Sequence, residues 1–347
     1  MNACVLKEIG RLCYESVENP KPARGEVLLH IKYCGICSSD IDRIFKTGTY
    51  HFPTIPGHEF SGEIVELGED VDGTYLGKRA VVYPLLPCFH CPSCEVGEYA
   101  RCDSYSYFGS RRDGAFAEYV AVPIWNLVRF SDKLPFDLAA LCEPATVALH
   151  AIRAAHIALG DTVVVIGSGT IGLLASMWAR IHGASKVIVV GRGEEKLKTA
   201  RELGFQHIIS TLTQDAERKI RALTEEKGAD TVLEMVGSSS AIRMAVCCVK
   251  KGGTVVLTGN PSGNIELERN VYWKILREEL TLRGTWNSSY NSDQNDWTTV
   301  LEYMEKGILS VEKLITHQFP LREWKKAFEV LQNKENGAVK VMFRVSE

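Results

Sequence analysis

Four cysteines, Cys88, Cys91, Cys94 and Cys102, crowd one short stretch of this chain, with two residues separating each of the first three. Pro87, Pro92 and Gly97 keep that stretch out of regular helix or strand, as a loop wrapped around a point must be. Four converging thiolates close a tetrahedron around Zn²⁺ and leave no position for water, the chemistry of a structural site. Two disulfides, which suit a secreted chain better than this one, or free thiols are the alternative. Such a site catalyses nothing itself, but it requires a fold that can carry a closed metal loop.

At 347 residues the chain exceeds one comfortable core and is expected to form two domains. A formal net charge of −3 gives no global basic field, which argues against nucleic acid as a partner. Met1 to Glu18 contains no continuous apolar stretch, so no signal peptide is expected. The longest apolar runs, such as Val163 to Ile166, have strand length and cannot span a bilayer. The 11 cysteines are odd in number, and several (Cys4, Cys142, Cys247, Cys248) sit in apolar segments. That usage fits a reducing cytoplasm with buried thiols and metal ligands.

The texture changes twice along the chain. Up to about Pro144, short strands alternate with Gly and Pro turns, as in Val27–Ile31, Ser61–Val65 and Phe116–Val120, which reads as a β-rich region. From Thr162 the rhythm becomes strand, glycine, helix, strand. A strand is expected at Thr162–Ile166, a helix at Thr170–His182, a strand at Lys186–Val190 and a helix at Glu194–Leu203 closed by Gly204. Thr231–Glu234 and Thr254–Leu257 continue the buried parallel series. After about Thr285 the pattern is mixed, with helices near Asp296–Met304 and Glu323–Leu331 and a final strand Val339–Phe343. These observations predict an α/β protein with a β-rich domain over residues 1–150, a Rossmann domain with a doubly wound parallel sheet over 151–289, and a return to the first domain over 290–347.

Gly167-Ser168-Gly169-Thr170-Ile171-Gly172 follows the first of these strands and opens the helix. In that context the glycines predict a dinucleotide site. Gly167 permits the tight turn, Gly169 lets the backbone approach a pyrophosphate, and Gly172 lets helix and strand pack closely. The helix N-terminus then offers free N–H groups to the phosphates. Where NAD sites place an acid at the end of the second strand, this chain has Gly191, followed by Arg192. Loss of the carboxylate removes repulsion against a 2′-phosphate, and Arg192, with Lys196 one turn on, can bind it. NADP is therefore favoured over NAD; the alternative leaves Arg192 solvated and gives the ribose to Glu194 or Glu195.

Cys37, His58-Glu59 and Glu143 form a mixed thiolate, imidazole and carboxylate set of the kind found in open catalytic zinc sites. Spacing alone does not bring them together. Cys37, Gly57-His58-Glu59, the cysteine loop, Asp113-Gly114, Phe116-Ala117-Glu118-Tyr119 and Gly167 to Gly172 occur in an order that resembles the zinc-dependent medium-chain dehydrogenases. The resemblance spans nearly the whole chain and is strongest to the polyol dehydrogenase branch. Arg43–Lys46, Pro84–Cys88 and Gly109–Gly114 are similar to members acting on a polyol phosphate. The resemblance implies a GroES-like catalytic domain with Cys37, His58 and Glu143 on a catalytic zinc, Glu59 bound directly or through water, and Ser39 beside the reacting oxygen. Glu143 stands where alcohol dehydrogenases of the family carry cysteine. It further implies two Zn²⁺ per chain, a small-molecule substrate, a homodimer or homotetramer, and a site in the cleft between the domains.

The expected reaction oxidises a secondary hydroxyl, galactitol 1-phosphate going to tagatose 6-phosphate, with hydride passing to the nicotinamide and Ser39 carrying the proton outward. Arg111 and Arg112 are candidates for the phosphate, or else a surface pair bracing their loop. Tyr50, Trp286 and Asn287 are candidate pocket residues, and His51 could join a proton relay or simply be solvated. An unphosphorylated polyol or diol is the alternative substrate. A non-catalytic NADP-binding protein would be expected to lack one of Cys37, His58 or Glu143, and a zinc-free enone reductase would lack both metal sets; this chain has all of them.

Overall fold

Thr162–Ile166 is a strand because five successive residues, four of them β-branched aliphatic, can be buried on both faces of a parallel sheet. The computed structural model describes residues 1–261, 263–333 and 337–346, and it places this strand inside a six-stranded parallel sheet. Strand order is His207–Ser210, Lys186–Gly191, Thr162–Ile166, Ala229–Glu234, Val249–Leu257 and Thr281–Gly284, so the chain steps outward one way and then reverses beside its first strand. This reversal is the switch point of a doubly wound dinucleotide fold. Val164, Ile188, Val190, Val232 and Val255 form its core with Ala241 and Ala245 of the helix Ser239–Cys248.

The second sheet has seven strands. Its path runs Ile315–Pro320, Lys340–Arg344, Glu26–Gly35, Glu59–Leu67, Arg79–Val82 and Leu127–Arg129, with Tyr119–Pro123 also paired to Glu26–Gly35. Apart from the parallel first pair, its ladders are antiparallel. The chain divides into two units: Met1–Glu143 with Ser289–Asn333 and the segment from Lys340 onward, and Pro144–Ser288 with the segment ending at Val339. The first change of unit falls early in the helix Cys142–Ala155, ahead of the boundary expected after residue 150.

One predicted strand is displaced. Phe116 and Ala117 lie outside any ladder strand, and the regular strand begins at Tyr119. The run is apolar because it is core: Phe116 packs edge-on against Phe343 at 5.0 Å, while its carbonyl accepts from the Cys4 amide at 2.7 Å. Burial without regular pairing mimics a strand in sequence. Among the described residues no helix is long and apolar enough to cross a membrane.

Candidate active site

Cys37 stands at the N-cap of the short helix Ser38–Asp42, and Asp40 holds it there by accepting from the Cys37 amide at 3.0 Å. The other Asp40 oxygen faces His58 Nδ1 at 3.4 Å, and Asp40 is fully buried. Gly57, with φ +98°, turns the chain into His58; a Cβ there would lie 2.5 Å from the Phe116 ring, so only glycine fits. Glu59 then opens the strand Glu59–Leu67 opposite Gly35, whose missing side chain makes room for the carboxylate: a Cβ on Gly35 would sit 2.2 Å from Glu59 Oε2. One ligand atom from each of Cys37, His58 and Glu59 lies within 4.8 Å of the others. A thiolate, an imidazole and a carboxylate in a buried pocket make a donor set that fits Zn²⁺.

The electrostatics suit a cation. Burial works against a charged His58, but Asp40 and Cys37 outweigh it and push its pKa well up. A carboxylate behind a ligating histidine fixes ring orientation and raises ligand basicity. Lys340 is buried beside them; it donates to Glu59 Oε2 at 2.5 Å and to the Ile36 carbonyl at 3.3 Å. Glu143 is outside the close three-residue group. It is buried, its pKa pushed up to about 7 first by that burial and further by Glu59, with His58 opposing, and it accepts from the Tyr107 hydroxyl at 3.4 Å. Tyr107 in turn lies edge-on to His58 at 5.6 Å. Ser39 accepts from Arg43 Nη1 at 3.2 Å, which keeps its hydroxyl proton free to be donated elsewhere.

The structure separates the two arginines. Arg112 donates to Glu26 Oε1 at 2.7 Å and to the Ala121 carbonyl at 3.1 Å, so it braces its loop and is spent as a phosphate ligand. Arg111 instead lies between the rings of Tyr50 and Tyr105, at 4.0 and 4.7 Å, with one N–H given to the Tyr105 carbonyl. Among the described residues it has no carboxylate partner. Tyr105 meets Tyr107 edge-on at 6.3 Å, which links this guanidinium to the metal pocket. His51 is tied into its own loop, with Nδ1 3.1 Å from the Pro53 carbonyl. Trp286, 56% exposed, and Asn287, whose φ is +60° and whose Oδ1 is buried without a partner among the described residues, follow the last strand of the nucleotide sheet.

The cysteine loop is gathered as expected, with ligand atoms of Cys88, Cys91, Cys94 and Cys102 all within 4.8 Å of one another. All four are free thiols, and the Cys88–Cys94 sulfur separation of 3.9 Å is far from a disulfide bond. Backbone N–H groups of Asp103 and Cys94 hold Cys91 down to about 6, toward the thiolate that a metal requires. Phe89 and Tyr99 of this loop pack edge-on against Trp125 at 4.8 and 5.1 Å, and Trp125 against Tyr290 at 5.0 Å.

In the nucleotide unit, Gly167 has φ +128°, and a Cβ on Gly172 would lie 1.9 Å from the Gly167 carbonyl oxygen. Gly169 caps the helix Thr170–Ile181 with no side chain over the first N–H groups, and the space a Cβ would fill there is open. That cradle fits a pyrophosphate. Arg192 is exposed and Lys196 half-buried beyond the buried Gly191.

Sequence reasoning passed over Asp40, Tyr107 and Lys340. Lys340 carried a readable signal, a lone ammonium within the apolar run Val339–Phe343, since a buried lysine needs an anion. Asp40 was legible as the third residue after a helix-capping Cys37. Tyr107 offered none.

Two family models match the chain: the alcohol dehydrogenase GroES-like domain over residues 23–132 and the zinc-binding dehydrogenase over 170–306. The chain is 35% identical over 327 residues to a galactitol 1-phosphate 5-dehydrogenase of Escherichia coli (strain K12), covering 94% of each. It is 31% identical to a sorbitol dehydrogenase of Bacillus subtilis (strain 168), covering 99% of this chain and 96% of that one. The crystal structure of a putative zinc-binding dehydrogenase from Sinorhizobium meliloti 1021 bound to NADP superposes with a TM-score of 0.90 at 29% identity, covering 99% of each chain.

Proposed function

Since this chain belongs to the zinc-binding dehydrogenases, as a zinc- and NAD(P)-dependent alcohol dehydrogenase of the polyol type, we propose that it oxidises a secondary hydroxyl of a polyol phosphate, galactitol 1-phosphate giving tagatose 6-phosphate, with NADP⁺ as acceptor. The balance is one carbinol and NADP⁺ to one ketone, NADPH and a proton. The observation that carries the reading is the convergence of Cys37, His58 and Glu59 with Asp40 set behind the imidazole.

Zinc held by Cys37 and His58 with a carboxylate, Glu59 or Glu143, would polarise the substrate oxygen and lower its pKa, and the nicotinamide would take the hydride. The protein's own residues do the rest. Asp40 orients His58, Lys340 balances Glu59, and Tyr107 holds Glu143. Ser39, whose oxygen is occupied by Arg43 as acceptor, passes the hydroxyl proton outward. A second Zn²⁺ belongs to the four-cysteine loop and serves stability alone. Gly191 with Arg192 supports NADP, and Arg111, without a carboxylate partner among the described residues, supports a phosphorylated substrate. The sorbitol dehydrogenase relative supports a second reading, an unphosphorylated polyol.

Steady-state kinetics on polyols with and without phosphate, each with NAD⁺ and NADP⁺, test both choices. The expected result is the highest kcat/KM for the pair galactitol 1-phosphate and NADP⁺. Equal or better kcat/KM on sorbitol would remove the phosphate from the reading and leave the dehydrogenase intact.

A further inference from the structure

The end of the second nucleotide-sheet strand and the glycine turn are usually treated as separate determinants, one for the ribose and one for the pyrophosphate. Here they touch. A Cβ on Gly191 would lie 2.3 Å from Ser168 Oγ, 2.7 Å from Ser168 Cβ and 2.7 Å from Leu197 Cδ2. Leu197 contributes only the far end of a flexible side chain. Ser168 cannot step aside as easily, because its short side chain hangs from the turn set by Gly167 at φ +128°, whose amide is tied to the Val190 carbonyl at 2.8 Å. The Ser168 hydroxyl therefore occupies the place from which an acidic residue at 191 would reach the ribose. No described residue hydrogen-bonds that hydroxyl, and it is not among the fully enclosed polar atoms, so one side of it is open.

We propose that Ser168 reads the 2′ position of the adenosine ribose: its hydroxyl donates to the 2′-phosphate beside Arg192, and its bulk compels residue 191 to be glycine. This inference rests on the NADP reading above for its first half and on packing alone for its second. A serine hydroxyl supplies a donor without negative charge, which is what a dianionic 2′-phosphate requires where NAD sites place a carboxylate. Cofactor choice then belongs to the pair 168/191: a side chain at 191 cannot gain NAD⁺ while Ser168 fills the space its Cβ needs.

The test uses zinc-loaded full-length protein with titration calorimetry for NADP⁺ and NAD⁺ binding and thermal unfolding without cofactor. Ser168→Gly is expected to weaken NADP⁺ about tenfold more than NAD⁺, the fold-change one hydrogen bond to a charged group carries. Gly191→Ala is expected to lower Tm, and Ser168→Gly/Gly191→Ala to recover most of the loss; alanine is used because it adds only the clashing Cβ. Gly191→Asp alone is expected to weaken both cofactors, whereas Ser168→Gly/Gly191→Asp should bind NAD⁺ more tightly than either single variant does. Additive Tm changes, or Gly191→Asp alone gaining NAD⁺ as fully as the double variant, would overturn the packing half. An equal effect of Ser168→Gly on both cofactors would overturn the hydrogen bond. Wild-type protein binding NAD⁺ more tightly than NADP⁺ would overturn the NADP reading, and with it that hydrogen bond, while the Tm cycle still decides the packing.

Discussion

Lys340 and Glu59 place opposite charges where both side chains are almost completely buried, 3% and 2% exposed. Removing one member of such a pair leaves the other without compensation, typically about 3–5 kcal/mol of destabilisation, whereas replacing both is far milder. Lys340→Met should therefore lower stability by about 3 kcal/mol in urea unfolding. Glu59→Gln/Lys340→Met should recover most of that, and a double variant no better than the single would refute the pairing. The arginines make a second residue-scale contrast. Arg111→Gln should reduce kcat/KM on galactitol 1-phosphate at least tenfold, the scale of a lost charge-assisted phosphate contact, and barely affect free polyols. Arg112→Gln should instead cost stability without changing the ratio between the two substrates, because its guanidinium serves Glu26 and Ala121. Only side-chain geometry tells these neighbours apart. As letters in a sequence, Arg111 and Arg112 are the same residue twice.

At the scale of elements, the cysteine loop is a short wrap with little regular structure, fastened by Phe89 and Tyr99 against Trp125. Cys91→Ser should lower zinc content and Tm together, since three ligands no longer close the tetrahedron. Trp125→Ala should lower Tm with zinc retained, because the half-buried ring packs against Phe89, Tyr99 and Tyr290 while the thiolates remain. Loss of metal in Trp125→Ala would show that the aromatic anchor positions the ligands as well. The four inner nucleotide-sheet strands were legible because a parallel sheet buries both faces there, so each carries an apolar run; the edge strands His207–Ser210 and Thr281–Gly284, the latter exposed throughout, carry none and were not expected. The run Phe116–Val120 was misread for the same reason in reverse: Phe116 is buried without belonging to a ladder, and hydrophobicity does not record hydrogen bonding. Cys37, His58 and Glu59 could be named from the sequence, but their meeting depends on Gly35 and Glu59 being paired across two strands, a non-local fact. Lys340 reaches the same pocket from the far end of the chain and leaves no local spacing to read.

For the whole molecule, two donor sets of unlike chemistry imply two metals with unlike roles. Elemental analysis of active protein should give two zinc ions per chain, falling to one in His58→Ala, which should retain its fold and lose turnover. A mild chelator should abolish activity before it lowers Tm, since the mixed-donor site has an open position and the four-thiolate site has none. Simultaneous loss of both properties would count against separate roles. The pairing of Lys340 with Glu59 also has a meaning in the order of synthesis. The two residues are 281 positions apart, so at about 5–20 residues per second the ammonium emerges roughly 15–60 s after the carboxylate it neutralises. Throughout that interval the nucleotide unit's six strands, contiguous in sequence, can be completed, while the unit of the seven-stranded sheet still lacks the strand Lys340–Arg344 that pairs with Glu26–Gly35. A nascent chain thus carries its cofactor fold before its proposed catalytic pocket can close, and until then Glu59 stands without its ammonium partner beside the thiol and imidazole proposed to bind metal.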